Sequence, residues 1–484
     1  TGDVTVFANT VGNLRVGGVF SQNASGAVDG AENSGKITIK EGTTTGAVLM
    51  VGGVCACFAN HTGKNLTNTG DITIEKGLSV GKMFHLGGCV GWTNKTLTTL
   101  RNSGNITILG GSSGASAANA TANDQRITNV GGNVGWVDVR LTMSDMENSG
   151  DISISNYEAK YTFSVAGNVA RYNTEVGGTG TNLKNSGAIT LDETTKSGGG
   201  LYVGGCVGIH QGNSGALTTC ENDAPITVKT AAPSGNVYIG GVVGYVDGGT
   251  DRTLTNTKNG KMLIALTSTG SGKTYAIGGV AGRMVDHSNP LDNQGDITIS
   301  GTIKGTAYIA GIIGYPNNYN RVNITNSCDI TIDGTFEATC NVGGINAGGA
   351  YSGVYGNTHS SGNILVTKNA QFKGATVIGG LFGKNSASGL VFCSCSSSTN
   401  ILFEGTSGAS GKEDATLCIG GVLGEAIAIK SVQHGLTCSG NITYSGSHNS
   451  TAPVNIGGIA GYAQSSTIDK CVNRGTICVY NSFY

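Results

Sequence analysis

Short runs such as Ile37-Thr38-Ile39, Ile72-Thr73-Ile74 and Ile106-Thr107-Ile108 set an apolar, a polar and an apolar residue in succession. This period of two sends both isoleucines to one side of a strand and the threonine to the other. Ile, Val and Thr are stiff at χ1 and fit a pleated surface. The inward side can be followed as one column through Ile37, Ile72, Ile106, Ile152, Ile189, Ile226, Ile297, Ile330, Ile364, Ile401, Ile442 and Ile477. A second apolar column runs upstream of it through Leu66, Leu100, Met146, Leu183, Leu291, Ile324 and Leu436. No stretch carries the i, i+3, i+4, i+7 spacing of an amphipathic helix. The pattern predicts an all-β chain with no helical domain.

The strands recur with a longer period. An apolar-Gly-Gly-apolar signature, with Ala allowed for one Gly, begins at Val16, Val51, Leu86, Val130, Val165, Val203, Ile239, Ile277, Ile309, Val342, Ile378, Ile419 and Ile456, thirteen starts spaced 32 to 44 residues apart. Between the starts lies Asn-x-Gly-x-Ile-Thr-Ile, as in "NSGKITI" from Asn33, "NTGDITI" from Asn68 and "NQGDITI" from Asn293. A chain that repeats strand and turn with the same inward residues predicts a β-solenoid, parallel β-helix-like, with one coil per repeat and a continuous apolar interior over residues 1–484.

The Gly-rich segment reads differently. In Ile239-Gly240-Gly241-Val242-Val243-Gly244 neighbouring valines point to opposite faces and both are apolar, so this strand is expected to be covered on both sides, its glycines admitting a close second layer. The Asn of the other motif, at Asn33, Asn68, Asn102, Asn148, Asn185, Asn222, Asn293, Asn326 and Asn473, is expected to form a structural ladder, because Asn suits turns and stacked amides bond from coil to coil.

Composition removes whole classes of function. With 29 basic and 30 acidic residues, a net charge of −1 and only 12% charged positions, the chain lacks the electrostatic footprint of nucleic-acid binding. No apolar run approaches the ~18 residues of a membrane helix. Outward Asp71, Asp151, Asp296 and Asp329 are too dispersed for a hard cation, which takes six or more oxygens. Of the 13 cysteines, Cys89 and Cys206 replace the apolar residue after Gly-Gly, Cys55 the next apolar residue, and Cys220, Cys395 and Cys471 sit in the Leu column, so they are expected to be mostly small buried hydrophobes. The "GSGKTY" of Gly270 to Tyr275 lacks the upstream Gly and following helix of a phosphate loop. The acidic and basic residues are scattered, and His85, His210, His287 and His434 share no column, so no catalytic centre, cofactor or metal is expected.

Taken together, "IGGVVGY" from Ile239 and "LTNTGDITI" from Leu66 resemble the Gly-rich, GLUG-like repeats of bacterial cell-surface and adhesin-type proteins. The resemblance spans nearly the whole chain, and it implies secretion, surface display and a fibrous or adhesive role. The expected function is a non-enzymatic extracellular structural protein, a subunit of a self-assembling surface fibre. The matched ends, "TGDVTV" and "VNRGTICVYNSFY", suggest that copies join end to end. The alternative is an adhesin stalk that binds host or matrix glycans through a solenoid face or loops. Its candidate stacking residues are Trp92 and Trp136, which share a column with Tyr245, Tyr315 and Tyr462.

Overall fold

In a computed structural model of the chain, the described residues are 2–23, 26–114, 127–172, 178–212, 215–230, 233–248, 252–285, 290–317, 321–349, 353–385, 390–429 and 431–480. They form an all-β structure without a helix, parallel sheets stacked as a β-solenoid of about 12 turns. The chain divides into two compact units, Thr1–Asn236 with Val242–Thr250, and Val237–Gly241 with Asp251–Tyr484.

Each coil of unit 1 visits four long sheets, here named A to D, and most coils add a strand to a fifth, six-stranded sheet. One coil runs through Ile37–Ile39 in sheet A, Leu49–Gly52 in sheet B, Cys55–Phe58 in sheet C and Gly63–Asn68 in sheet D. Pairing joins equivalent strands of successive repeats, Ile37 to Ile72 to Ile106 to Ile152 to Ile189 to Ile226. The repeat is therefore one coil, as its once-per-repeat inward columns require. Unit 2 has the same register, from Met262 through Ile297, Ile330, Ile364 and Ile401 to Ile442. Met262 fills a column position that the Ile-Thr-Ile pattern leaves blank.

The alternation does what it predicts. The column isoleucines from Ile37 to Ile442 and the Leu66 column are at most 1% exposed, whereas Ile477 is 40% exposed. Inside unit 2 the rings of Phe336, Phe372, Phe403 and Tyr444 stack in sequence with centroids 5.1, 5.8 and 5.4 Å apart. Such stacking adds to the area burial of each ring.

Two local devices turn this pattern into coils. At the corner between sheets B and C, a Cβ on Gly53 would overlap the Gly88 carbonyl and the Asn68 amide, and Gly88 and Gly132 stand in the same relation to Asn102 and Asn148. The Gly-Gly and Asn-x-Gly motifs are thus two sides of one contact. In most coils of sheet D a left-handed residue interrupts the ladder just before the apolar column. These residues are Asn65, Thr99, Asp145, Asn182 and Thr219 in unit 1, with φ between 53° and 56°, and Thr253, Asn323, Asn357, Ser394 and Lys470 in unit 2. Pairing passes from Lys64↔Thr98 to Leu66↔Leu100, skipping one residue on both strands so that the register is kept.

Candidate functional site

The asparagine column becomes a ladder in unit 1. Asn33 Nδ2 donates to Asn68 Oδ1 at 2.8 Å and to its own turn carbonyl, Gly35 O, at 2.8 Å. The pattern continues from Asn68 to Asn102 (2.8 Å), Asn102 to Asn148 (2.8 Å), Asn148 to Asn185 (2.9 Å) and Asn185 to Asn222 (2.8 Å). All six are buried. From Asn68 to Asn185 each amide both accepts from the coil before and donates to the coil after, which is what allows a polar column inside the molecule.

Unit 2 keeps the ladder with changing chemistry. Asn256 donates to Asn293 at 2.8 Å, Asn293 to Asn326 at 3.3 Å and Asn326 to Ser360 Oγ at 3.3 Å, after which Ser360 bonds the Thr399 hydroxyl at 2.9 Å. The sequence pattern misses Asn256, whose turn bond reaches Gly260 O, four residues on instead of two. Asn473 is exposed, closes its own turn on Gly475 O at 3.0 Å, and has Cys438 as its column neighbour.

The outward carboxylates are engaged in the same way. Asp71 accepts the Asn105 amide N–H at 2.9 Å, Asn105 Oδ1 that of Asp151 at 2.9 Å, and Asp151 that of Ala188 at 2.8 Å. In unit 2 Asp296 accepts from Asp329 at 3.2 Å and Asp329 from Asn363 at 2.8 Å. Among the described residues no group of three or more His, Cys, Asp or Glu could hold a metal. Ten of the 13 cysteines are buried, all are free thiols, and Cys393, Cys471 and Cys478 are partly exposed. Cys89 Sγ donates to Arg101 O at 3.3 Å and Cys206 Sγ to Glu221 O at 3.1 Å. Burial pushes the Cys89 thiol up to about 12 and Cys55 likewise to about 12, so both stay protonated.

A seam runs where the outer faces of sheets B and C meet. In unit 1 Met50 and Cys57 form an apolar cluster with Val48 and Ala56, and Trp92 and Met83 pack against it. Beyond it the ring of His85 lies 4.6 Å from that of Trp136, and His85 Nδ1 accepts from Asn129 Nδ2 at 3.0 Å. Burial, reinforced by the Arg171 charge, holds the His85 imidazole down to about 3. Tyr202 and Tyr245 meet farther along, with centroids 6.0 Å apart. Trp92 pairs directly with Trp136 in sheet C, as the shared column predicts. Trp92 is half-buried, whereas Trp136 is 6% exposed and covered by His85. Only Trp92 of the two therefore reaches solvent appreciably.

The seam of unit 2 carries a cation among rings. The Arg283 guanidinium lies 5.7 Å from the Tyr238 ring centroid and 5.6 Å from that of Tyr315, and the Tyr308 and Tyr315 rings meet edge to face at 4.8 Å. All three of Arg283, Tyr308 and Tyr315 are half-buried. Arginine over tyrosine faces is a cation–π arrangement, and the exposed ring edges form a mixed aromatic and basic strip.

Outside the asparagine ladder of unit 1 lies an open groove of about 340 Å³. Arg101, Glu147, Lys184 and Glu221 form one bank, and Ser103, Ser149, Ser186 and Asp223 the other. The charges alternate coil by coil, and Arg101 Nε meets Glu147 Oε2 at 3.1 Å. Both side chains are substantially solvated, so the pair adds little stability. No sequence signal marked this groove, because its charges belong to the polar half of an ordinary strand alternation. Compared with known proteins, the chain matches no family model, no curated protein and no solved structure. The class to which the geometry assigns it is that of the β-solenoid repeat proteins.

Proposed function

We propose that the chain is a structural, non-enzymatic protein displayed outside the cell, a subunit of a self-assembling surface fibre built from GLUG-like repeats. The observation that carries this reading is where the reactive side chains go. In both units the amides and outward carboxylates bond one coil to the next, and some buried thiols do the same, Cys89 Sγ donating to Leu66 O and Cys395 Sγ to Tyr355 O. A fold whose polar groups serve cohesion suits a load-bearing scaffold. Parallel, in-register pairing of equivalent strands is also a mode by which copies could add to one another. Burial of ten thiols shields them from an oxidising exterior. The test is negative-stain microscopy and light scattering of the purified chain over a concentration series. Filaments that lengthen with concentration are expected, and a monomer at every concentration overturns self-assembly.

A second reading, an adhesin stalk that binds glycans, is favoured by the seam. Half-buried Trp92 in unit 1 and the Arg283–Tyr315 pair in unit 2 offer ring surface and a donor side by side, the combination that sugar faces and hydroxyls take. Glycan-array binding that is lost in Trp92→Ala or Tyr315→Ala supports it. Binding unchanged in both variants excludes the seam.

A further inference from the structure

Arg321 opens the sheet D strand Arg321–Asn326 of unit 2, and its side chain is fully buried. Its Nη2 donates to Met284 O at 3.3 Å, while Nε and Nη1 have no hydrogen-bond partner. Among the described residues no carboxylate pairs with it. The neighbouring strand places Tyr355 beside it in register, and the Tyr355 hydroxyl accepts from Asn346 Nδ2 at 2.6 Å. Tyr355 in turn packs edge to face on Phe382, with centroids 4.9 Å apart. Burial raises the Tyr355 phenol and outweighs the opposing pull of the Arg321 charge, so the ring stays neutral and supplies no counter-charge.

A guanidinium does not deprotonate in proteins, and an uncompensated buried charge costs many kcal/mol. The charge is single, so a divalent ion would leave a buried negative charge in its place, and the full burial of the side chain favours the smallest counter-ions. We propose that Arg321 holds a small monovalent inorganic anion of the halide class inside unit 2, through Nε and Nη1.

The test uses the full chain and two probes. Bromide replaces chloride in crystals, with the anomalous signal recorded, and melting is followed in sodium chloride against sodium gluconate at equal ionic strength. A bromide peak within hydrogen-bonding distance of Nε and Nη1 is expected. So is a melting temperature that rises with chloride relative to gluconate in the native chain, a difference absent from Arg321→Met and Arg321→Gln. If neither variant folds, the bromide map of the native chain decides. Water alone at the guanidinium, or a native chain whose melting does not distinguish the two salts, overturns the proposal.

Discussion

Thr99, Thr219 and Thr253 carry β-branched side chains at φ of 56°, 55° and 55°, a conformation that Asn and Gly tolerate better. Asn already fills the equivalent place at Asn65, Asn182 and Asn323. Thr99→Asn and Thr219→Asn should each stabilise the chain by about 0.5–1 kcal/mol, read as a higher urea midpoint, and an unchanged or lower midpoint would contradict the assigned backbone. His85 sets a pH dependence. Its folded imidazole titrates near 3 against an ordinary value of 6.5, so the unfolded chain binds the extra proton. The stabilisation is complete above pH 6.5 and is lost as pH falls toward 3, at roughly 1.4 kcal/mol per unit. Burial lowers His210 in the same direction. Urea titrations at pH 7.5 and pH 4.5 should differ by about 2–3 kcal/mol through His85, and His85→Gln should shrink that difference. At this scale alternation was legible: Ile297 is buried and Thr298 is not. The left-handed column was not, because Asn, Thr, Asp and Ser share that place through backbone conformation and not through side-chain chemistry.

Between elements, the decisive contact joins a glycine corner to an amide. Gly132→Ala would drive a methyl group into the Asn148 amide and the Gly167 carbonyl, whereas Gly12→Ala meets only the Thr10 hydroxyl at 3.9 Å. The first should unfold its coil or cost several kcal/mol and the second well under 1 kcal/mol, measured by chemical denaturation. Asn148→Ala removes the acceptor of Asn102 and the donor to Asn185 and Gly150. Leaving those buried groups unpaired should cost about 2–4 kcal/mol. Asn148→Ser should cost less, since Ser360 holds the equivalent place in unit 2. Ile297→Asp should be far more damaging than Thr298→Asp, because only the first buries a charge. Both motifs were plain in the sequence, yet their mutual contact was not. The two strands that bring Gly53 onto Asn68 lie between them, and a linear pattern carries no corner angle. Asn256 escaped notice because its turn is two residues longer, and Ser360 because a hydroxyl replaces the amide.

Over the whole molecule, one coil per repeat makes stability close to a sum of coil and neighbour terms, so unfolding need not be a single cooperative step. The thiols can report it. A brief iodoacetamide pulse on the native chain should modify Cys393, Cys471 and Cys478 before the ten buried cysteines, as read by mass spectrometry of peptides. Early labelling of Cys89 or Cys206 would contradict their burial. The asparagine ladder has one further property at this scale. Its amides all donate forward in unit 1, from Asn33 through to Asn222, and none donates back. The backbone does not share this sense: Ile37 N donates forward to Asp71 O, but Lys40 N donates backward to Val6 O. Peptide dipoles in such parallel sheets largely cancel, while the side-chain dipoles add and polarise one another along the row. Unit 1 therefore carries an electrical polarity along its stacking direction, positive toward Asn222 and negative toward Asn33, so that acidic groups are favoured beside the one end and basic groups beside the other.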